Sequence, residues 1–483
     1  YVTALEKAFK SFFQSCHVLF KQENSFSKSY TIIMYKGKNI AILGAAREGM
    51  SAARFLAPDN KIFLLDEKRE KDIDLKNIEK IPNIETFFEG GFPSTGIDVI
   101  VRSPGIRVDS PFVTKLMSKN TIITSSTKIF FELCPASIVG VTGTKGKGTT
   151  STLIWEILKN SKKDAYLAGN IGTPALDILP DLKKDSIVVL ELSSFQLIDL
   201  TKSPHVGVAL MITSEHLDWH KDEKEYVQAK ESIVKYQNTN DVAIVNFDYP
   251  ESKKMANITK GNVFYFSIKE KVRGAYLNGD RLLLNIQHEE EIAKSYDVLL
   301  RGKHNLQNVL AASLASHLLG IDTANINRTV KSFQGLAHRL QEVAQVNGVT
   351  YINDSYSSTP ETTIAAIDAF TEPEILVLGG SSKNSDFSKL AQKIVDAKNL
   401  KTLVLIGEEA PRIKKAIDAS GGFNGHMIEG AKNMGQIVEK AAAVSVRGDV
   451  VILSPACASF DMFNNYRERG EQFIESVLKL KNE

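Results

Sequence analysis

At 483 residues the chain exceeds the size at which a single core keeps growing, so two or three domains are expected. Its 43% hydrophobic and 24% charged residues are those of a soluble globular protein, and a net charge of +2 argues against an extended nucleic-acid surface. No uninterrupted apolar span is long enough to enter a membrane, and the widely spaced Cys16, Cys134 and Cys457 suit a reducing cytoplasm better than a disulfide framework or a zinc site.

Residues 1–33 begin without methionine, show only weak amphipathic periodicity and end in a Ser/Lys-rich stretch, so they read as an appended helix or as a product of the reading frame. Their apolar run is broken by Gln14, Ser15 and His17, which excludes a convincing signal peptide. From Met34 onward, strand and helix patterns alternate in three blocks, which implies parallel sheets with helices on their faces. The fold class expected is α/β with three domains, over 34–131, 132–334 and 335–483.

In the first block, Asn39–Leu43, Lys61–Leu65, Asp98–Val101 and Thr121–Thr124 are predicted strands. The turn Gly44-Ala-Ala-Arg-Glu-Gly49 opens a helix, and Asp66 ends the second strand about twenty residues on, where a ribose- or base-binding acid often sits. The glycine pattern is weaker than a full dinucleotide fingerprint and suits a packing turn equally well.

The second block carries the chemistry. Ser137-Ile-Val-Gly-Val-Thr-Gly-Thr-Lys-Gly-Lys-Gly-Thr-Thr150 is an apolar strand entering a glycine-rich turn and then a helix, starting near Thr149, as a polyphosphate cradle requires. Backbone N–H groups from Gly143 through Thr144, Lys145 and Gly146 to Lys147 can face phosphate oxygens, and Lys147 can neutralise their charge. A P-loop usually has a hydroxyl directly after the lysine to hold Mg²⁺; here that residue is Gly148, which leaves Thr149, Thr150 or water to supply the ligand. The strand Ile187–Leu190 ends in Glu191, a candidate Mg²⁺ ligand at the sheet edge where α/β proteins bind ligands, although such a carboxylate can also be merely solvated. The strand Val206–Ile212 leads into Ser214-Glu-His-Leu-Asp-Trp-His220, which makes His216 the better candidate for metal or phosphate contact, with Asp218 and His220 as orienting or surface residues. Val242–Asn246 is a further strand, and Val263 to Leu300 is more irregular, with a hairpin expected at Asn278-Gly279. In the third block Val349–Ile352, Ile375–Leu378, Thr402–Ile406 and Val450–Leu453 are predicted strands.

Thr142-Gly-Thr-Lys-Gly-Lys147, Gly169-Asn-Ile-Gly172, Glu191-Leu-Ser-Ser-Phe-Gln196, Glu215-His-Leu-Asp218, Lys303-His-Asn-Leu-Gln-Asn308, His338-Arg339, Asn353-Asp-Ser355 and Ser454-Pro-Ala-Cys-Ala-Ser459 occur in the order of the Mur ligase family. The last block, continuing to Gly470, resembles the glutamate-adding branch, and the likeness runs from about Met34 to the carboxyl terminus. The resemblance implies a Rossmann-like N-terminal domain for a UDP-sugar, a central P-loop ATPase-type domain and a Rossmann-like C-terminal domain for glutamate. It further implies a monomer using ATP, two Mg²⁺ ions, UDP-N-acetylmuramoyl-L-alanine and glutamate in cytoplasmic peptidoglycan precursor synthesis, through an acyl phosphate.

Roles carried over by motif position assign the phosphate grip to Lys147 and the loop amides, and metal to Glu191, His216 and Lys230, the last as a carbamate. Without the resemblance, Lys230 would read as a solvated helix lysine. Asn305, Asn308, Arg339 and Asp354 match positions that hold adenine, ribose or the γ-phosphate, although Asn305 and Asn308 also suit ordinary helix capping. Arg47, Glu48, Asp66 and Gly105 match the uridine-diphosphate surface, with Asn170 and His216 near the muramoyl-alanine. Lys383, Ser459, Ser358 and Tyr466 fall on the glutamate positions.

The chain departs from the family there: Tyr356 replaces a lysine, Ser358 a threonine and Tyr466 a phenylalanine. The overall match implies D-glutamate, whereas the run from Asp354 to Pro360 is similar to a branch that adds L-glutamate. Ligases for other amino acids would carry different third-domain motifs, and a nucleotide-gated binding protein without ligase activity is the alternative from another class.

Overall fold

The computed structural model describes residues 35–73, 78–213, 219–382 and 385–481. The leader 1–33, His216 with the rest of Ser214 to Asp218, and Lys383 lie outside the described residues. Among the described residues there are three sheets.

The first contains β1 (Asn39–Leu43), β2 (Lys61–Leu65), β3 (Ile84–Phe87), β4 (Val99–Arg102) and β5 (Ile122–Ser125), all parallel in the order β3-β2-β1-β4-β5. Ile40 to Leu43 are wholly buried because helices cover both faces of the central strand, which is why the strand reads as a continuous apolar run. The expected strands coincide with β1 and β2 and shift by one residue at β4 and β5. The edge strand β3 carries exposed Glu85 and Thr86 and left no pattern to read.

The second sheet holds nine strands: β6 (Ser137–Thr142), β7 (Ala165–Gly169), β8 (Ile187–Glu191), β9 (Val206–Ala209), β10 (Val242–Asn246), β11 (Asn262–Ser267), β12 (Gly274–Asn278), β13 (Arg281–Asn285) and β14 (Glu289–Lys294). Its order is β14-β13-β12-β11-β10-β9-β6-β8-β7, parallel from β7 to β12 and antiparallel beyond. β6 therefore lies between β8 and β9, where the chain crosses from one side of its first strand to the other. The carboxyl ends of these three strands form the crevice in which open α/β sheets take ligands. The segment expected to be irregular is β11 to β14, and Asn278 pairs with Arg281 across a two-residue hairpin loop, with Gly279 at φ +62°.

The third sheet has β15 (Gln341–Val346), β16 (Val349–Asn353), β17 (Glu374–Gly379), β18 (Leu400–Ile406), β19 (His426–Ile428) and β20 (Val450–Leu453), ordered β15-β16-β20-β17-β18-β19. All pairs are parallel except β15 with β16. Because β20 sits between β16 and β17, the loops that follow these three strands share one edge. The chain forms two compact units: Tyr1–Lys294 with Gln307–Val330, holding the first two sheets, and Ser295–Leu306 with Lys331–Glu483, holding the third.

Candidate active site

β6 is buried on both faces and ends at Thr142, whose hydroxyl donates to the Leu192 carbonyl at 2.8 Å. The helix after it runs Lys147–Asn160, starting two residues before the expected Thr149, because Gly146 supplies the left-handed turn at φ +87°. A Cβ on Gly146 would lie 2.3 Å from Asn308 Oδ1, so Asn308 leans directly on the loop. Thr144 donates its N–H to the Met211 carbonyl at 2.7 Å and its hydroxyl to Thr213 O at 3.0 Å. This amide is thus spent on the segment after β9, which corrects the expectation that it faces phosphate. Lys145 is exposed, Thr149 half-buried and Gly148 buried.

Lys147 Nζ bridges the carbonyl oxygens of Gly143 at 2.9 Å and Thr144 at 3.0 Å, folded over the loop that it would leave to meet phosphate. Lys230, on the helix Glu223–Glu231, is 1% exposed and also donates to Gly143 O, at 3.0 Å. Its ammonium lies 4.7 Å from the Tyr226 ring centroid, and the Tyr226 hydroxyl is 3.0 Å from Thr144 Oγ1. Glu191 ends β8 opposite Val141 and is buried, with the Asn170 amide donating to Oε1 at 2.7 Å. Within the first turn of the P-loop helix, the buried Thr150 hydroxyl finds no protein partner among the described residues. An orphaned hydroxyl in the helix turn that Lys147 opens, with Lys147 and Lys230 on one loop carbonyl and Glu191 ending the adjacent strand, fits a metal-bound polyphosphate.

In the first sheet, Asp66 accepts from Ala45 N–H at 2.8 Å and Lys68 N–H at 3.0 Å, holding its own turn together. Arg47 donates to the Gly172 carbonyl, and Glu48 accepts from Gln196 Nε2 at 2.6 Å. The Gly105 carbonyl accepts from Trp219 Nε1 at 2.7 Å. All four residues follow the carboxyl ends of β1, β2 or β4.

In the second unit, Arg339 lies between His338 at φ +64° and Leu340 at φ +44°. Buried Asp354 clamps this turn: Oδ1 accepts from Leu340 N–H at 3.1 Å and Oδ2 from Ser454 Oγ at 2.8 Å. Burial pushes its carboxyl up to about 6. Asn305 donates to the Arg301 carbonyl at 2.7 Å from the first turn of the helix Lys303–Leu318. Ser358 is half-buried and Ser459 buried, and the Tyr466 ring packs edge-on against Tyr356.

Two family models match: the Mur ligase middle domain over residues 141–316, and the Mur ligase glutamate ligase domain over residues 338–457. Among curated relatives, the UDP-N-acetylmuramoylalanine–D-glutamate ligase of Acetivibrio thermocellus is 42% identical over 79% of this chain and 83% of its own. The protein of the same name from Clostridium botulinum is 37% identical over 95% of this chain and its full length. This chain belongs to the Mur ligase family. Solved structures of MurF ligase in complex with ADP and of UDP-N-acetylmuramate-alanine ligase, both from Thermotoga maritima, share its fold. Each has a TM-score of 0.57, at 18% and 16% identity, covering 93% and 92% of this chain and 99% of theirs.

In this Mur ligase three further arginines, to which no sequence motif assigns a role, hold the loops at these sheet edges. Arg469 is fully buried and donates to Ser355 Oγ and O and to the carbonyls of Cys457 and Ala458, at 2.9–3.2 Å. It thereby ties the loop after β16 to the loop after β20, and burial lowers its guanidinium to about 10. Its spacing to Phe473 and Val477 places a charge in an apolar helical stripe, a signal that was available. Buried Arg102 pairs with Asp199 at 2.6 Å and reaches the carbonyls of Pro104, Ile106 and Phe195. Arg107 grips Glu225, on the helix that carries Lys230, and holds that carboxyl well below its usual range. Among the described residues no helix is long and apolar enough to cross a membrane.

Proposed function

We propose that this chain is an ATP-dependent, ADP-forming ligase that adds D-glutamate to UDP-N-acetylmuramoyl-L-alanine in peptidoglycan precursor synthesis. The observation that carries the reading is the convergence of Lys147 and Lys230 on the Gly143 carbonyl, with Glu191 ending the neighbouring strand. The names of the relatives support D-glutamate over the L-glutamate alternative.

A carboxylate is a poor electrophile, so the L-alanyl carboxylate must first be activated. Its oxygen attacks the γ-phosphorus of ATP, the bond from that phosphorus to the bridging oxygen breaks, and ADP leaves. The glutamate amine then attacks the acyl carbon, phosphate departs with the C–O electron pair, and the amine loses a proton to give the amide. Lys147 is assigned to the transferring phosphoryl group, where its charge counts most. Mg²⁺, when bound, neutralises phosphate charge; Glu191, Thr149, His216 and Lys230 as a carbamate would hold it.

Ser358, Lys383, Ser459 and Tyr466 are assigned to glutamate and Arg339 to charge developing on the phosphoryl group. Asn305, Asn308 and Asp354 are assigned to ATP, and Arg47, Glu48, Asp66, Gly105 and Asn170 to the UDP-substrate. A three-domain layout, a monomeric state and a cytoplasmic location complete the reading. Phosphate release measured with both substrates and ATP tests it; release that is independent of either substrate contradicts it.

A further inference from the structure

We propose that Tyr356 is a positioning residue for Arg339: its ring fixes the plane of the guanidinium and leaves the N–H edge open to an incoming anion. The inference rests on the assignment of Arg339 to phosphoryl charge.

The Arg339 backbone is tightly determined. His338 N–H donates to Gln341 Oε1 at 3.0 Å, Arg339 N–H to Leu336 O at 3.1 Å and Leu340 N–H to Asp354 Oδ1 at 3.1 Å. Tyr356 N–H closes the set on His338 O at 3.0 Å. Two non-glycine residues at positive φ around one arginine are costly, and these bonds hold them in place. A clamped backbone does not by itself aim a long side chain.

The guanidinium carbon of Arg339 lies over the Tyr356 ring, 3.8 Å from its centroid, within the range of a cation–π contact. A salt bridge would also hold this group, but it would consume the N–H donors that a phosphoryl group needs. A stack on an aromatic face consumes none of them. Asp354, the acid that serves this turn, directs its oxygens to Leu340 N–H and Ser454 Oγ.

Tyr356 is 43% exposed, so burial alone does not fix its ring, and the contact that holds it is with Tyr466. The two rings meet edge to face at 5.0 Å and 88°. Tyr466 is itself anchored, with its carbonyl accepting from Ser355 Oγ at 2.7 Å, and it opens the helix Tyr466–Leu480 capped by Asn465. The order of support thus runs from helix to Tyr466 to Tyr356 to Arg339.

The test compares Tyr356→Phe, Tyr356→Leu, Arg339→Ala and the double variant Arg339→Ala/Tyr356→Leu in the full-length chain. Tyr356→Phe keeps the ring and is expected to stay within about twofold of the parent kcat. Tyr356→Leu is expected to lower kcat by about tenfold with both substrate KM values within about twofold, because the arginine's aim and not binding is lost. The double variant should be no slower than Arg339→Ala. In ¹⁵N-arginine-labelled protein the Arg339 Nε–H resonance, identified by its loss in Arg339→Ala, should be displaced by the ring in the parent and Phe forms and return in the Leu form. A Leu variant with parental kcat, multiplicative losses in the double variant, or a resonance unmoved by Leu overturns the proposal. An Arg339→Ala enzyme with full activity instead overturns the assignment of Arg339, whatever the resonance shows.

Discussion

Lys147 and Lys230 donate to the same oxygen, the Gly143 carbonyl, at 2.9 and 3.0 Å. Two ammonium groups brought to one buried acceptor repel, and burial of Lys230 raises the cost of its charge. Loss of one proton frees the Lys230 amine to add to CO₂, and release of a second proton to solvent leaves the carbamate anion; this would turn the second cation into an anion and remove that conflict, which is the physical case for the carbamate. Lys230→Ala is expected to lower kcat by about 100-fold or more and to regain part of it with added formate or acetate. Carbon-13 NMR under labelled bicarbonate should show a carbamate signal in the parent and not in the variant; its absence from the parent rules the carbamate out.

Lys147→Ala is expected to reduce phosphate release by about 1,000-fold while the melting temperature stays within about 2 °C, since the side chain holds loop carbonyls and packs no core. Gly146→Ala should fail differently. The added methyl meets Asn308 Oδ1 at 2.3 Å at a position with φ +87°, so ATP binding should weaken and stability should fall by about 1–2 kcal/mol. Calorimetric titration with ATP and thermal melting distinguish the two.

Arg469 makes a prediction about shape as well as charge. Its planar fork serves acceptors on Ser355, Cys457 and Ala458 together, and a lysine ammonium cannot span them. Arg469→Lys is expected to destabilise the chain by about 2 kcal/mol and Arg469→Met by about 3 kcal/mol or more, measured by urea unfolding. Parental stability in both would show that the two loops are held by other contacts.

The buried Glu374 sets a pH dependence. Burial pushes its carboxyl up to about 8, with Asn399 donating to one oxygen at 2.9 Å and no partner on the other among the described residues. The folded group is neutral where the unfolded group is ionised, so its contribution is intact below the unfolded value and is lost as pH rises towards 8. Asp241 and Asp354, each pushed up to about 6, act in the same direction. Glu374→Gln is expected to stabilise the protein by about 2 kcal/mol at pH 8 and by little at pH 5. A gain of equal size at both pH values would contradict the shift.

Several strands were legible because their interiors are buried: β1, β2, β10 and β20 read as apolar runs with at most one polar end residue and coincide with the expected ranges. Edge strands were not. β15 is partly exposed along most of its length, with only Val346 buried, yet Asn347 and Gly348, both at positive φ, gave the hairpin signal that would have found it. The P-loop was legible from residue types, whereas the helix start at Lys147 depended on the left-handed Gly146. Lys230 carries no local mark at all: its burial comes from the packing of its helix against the loop after β6, which is tertiary information. The stack of Tyr356 on Arg339 joins residues whose spacing in the chain says nothing about contact.

The measurement that bears most directly on the proposed function is kcat/KM for phosphate release with ATP, UDP-N-acetylmuramoyl-L-alanine and each enantiomer of glutamate. The expected result is release that requires both substrates and favours D-glutamate by about 100-fold or more, as three-point recognition of a chiral amine allows. A preference for L-glutamate, or release that ignores the amino acid, would contradict the account.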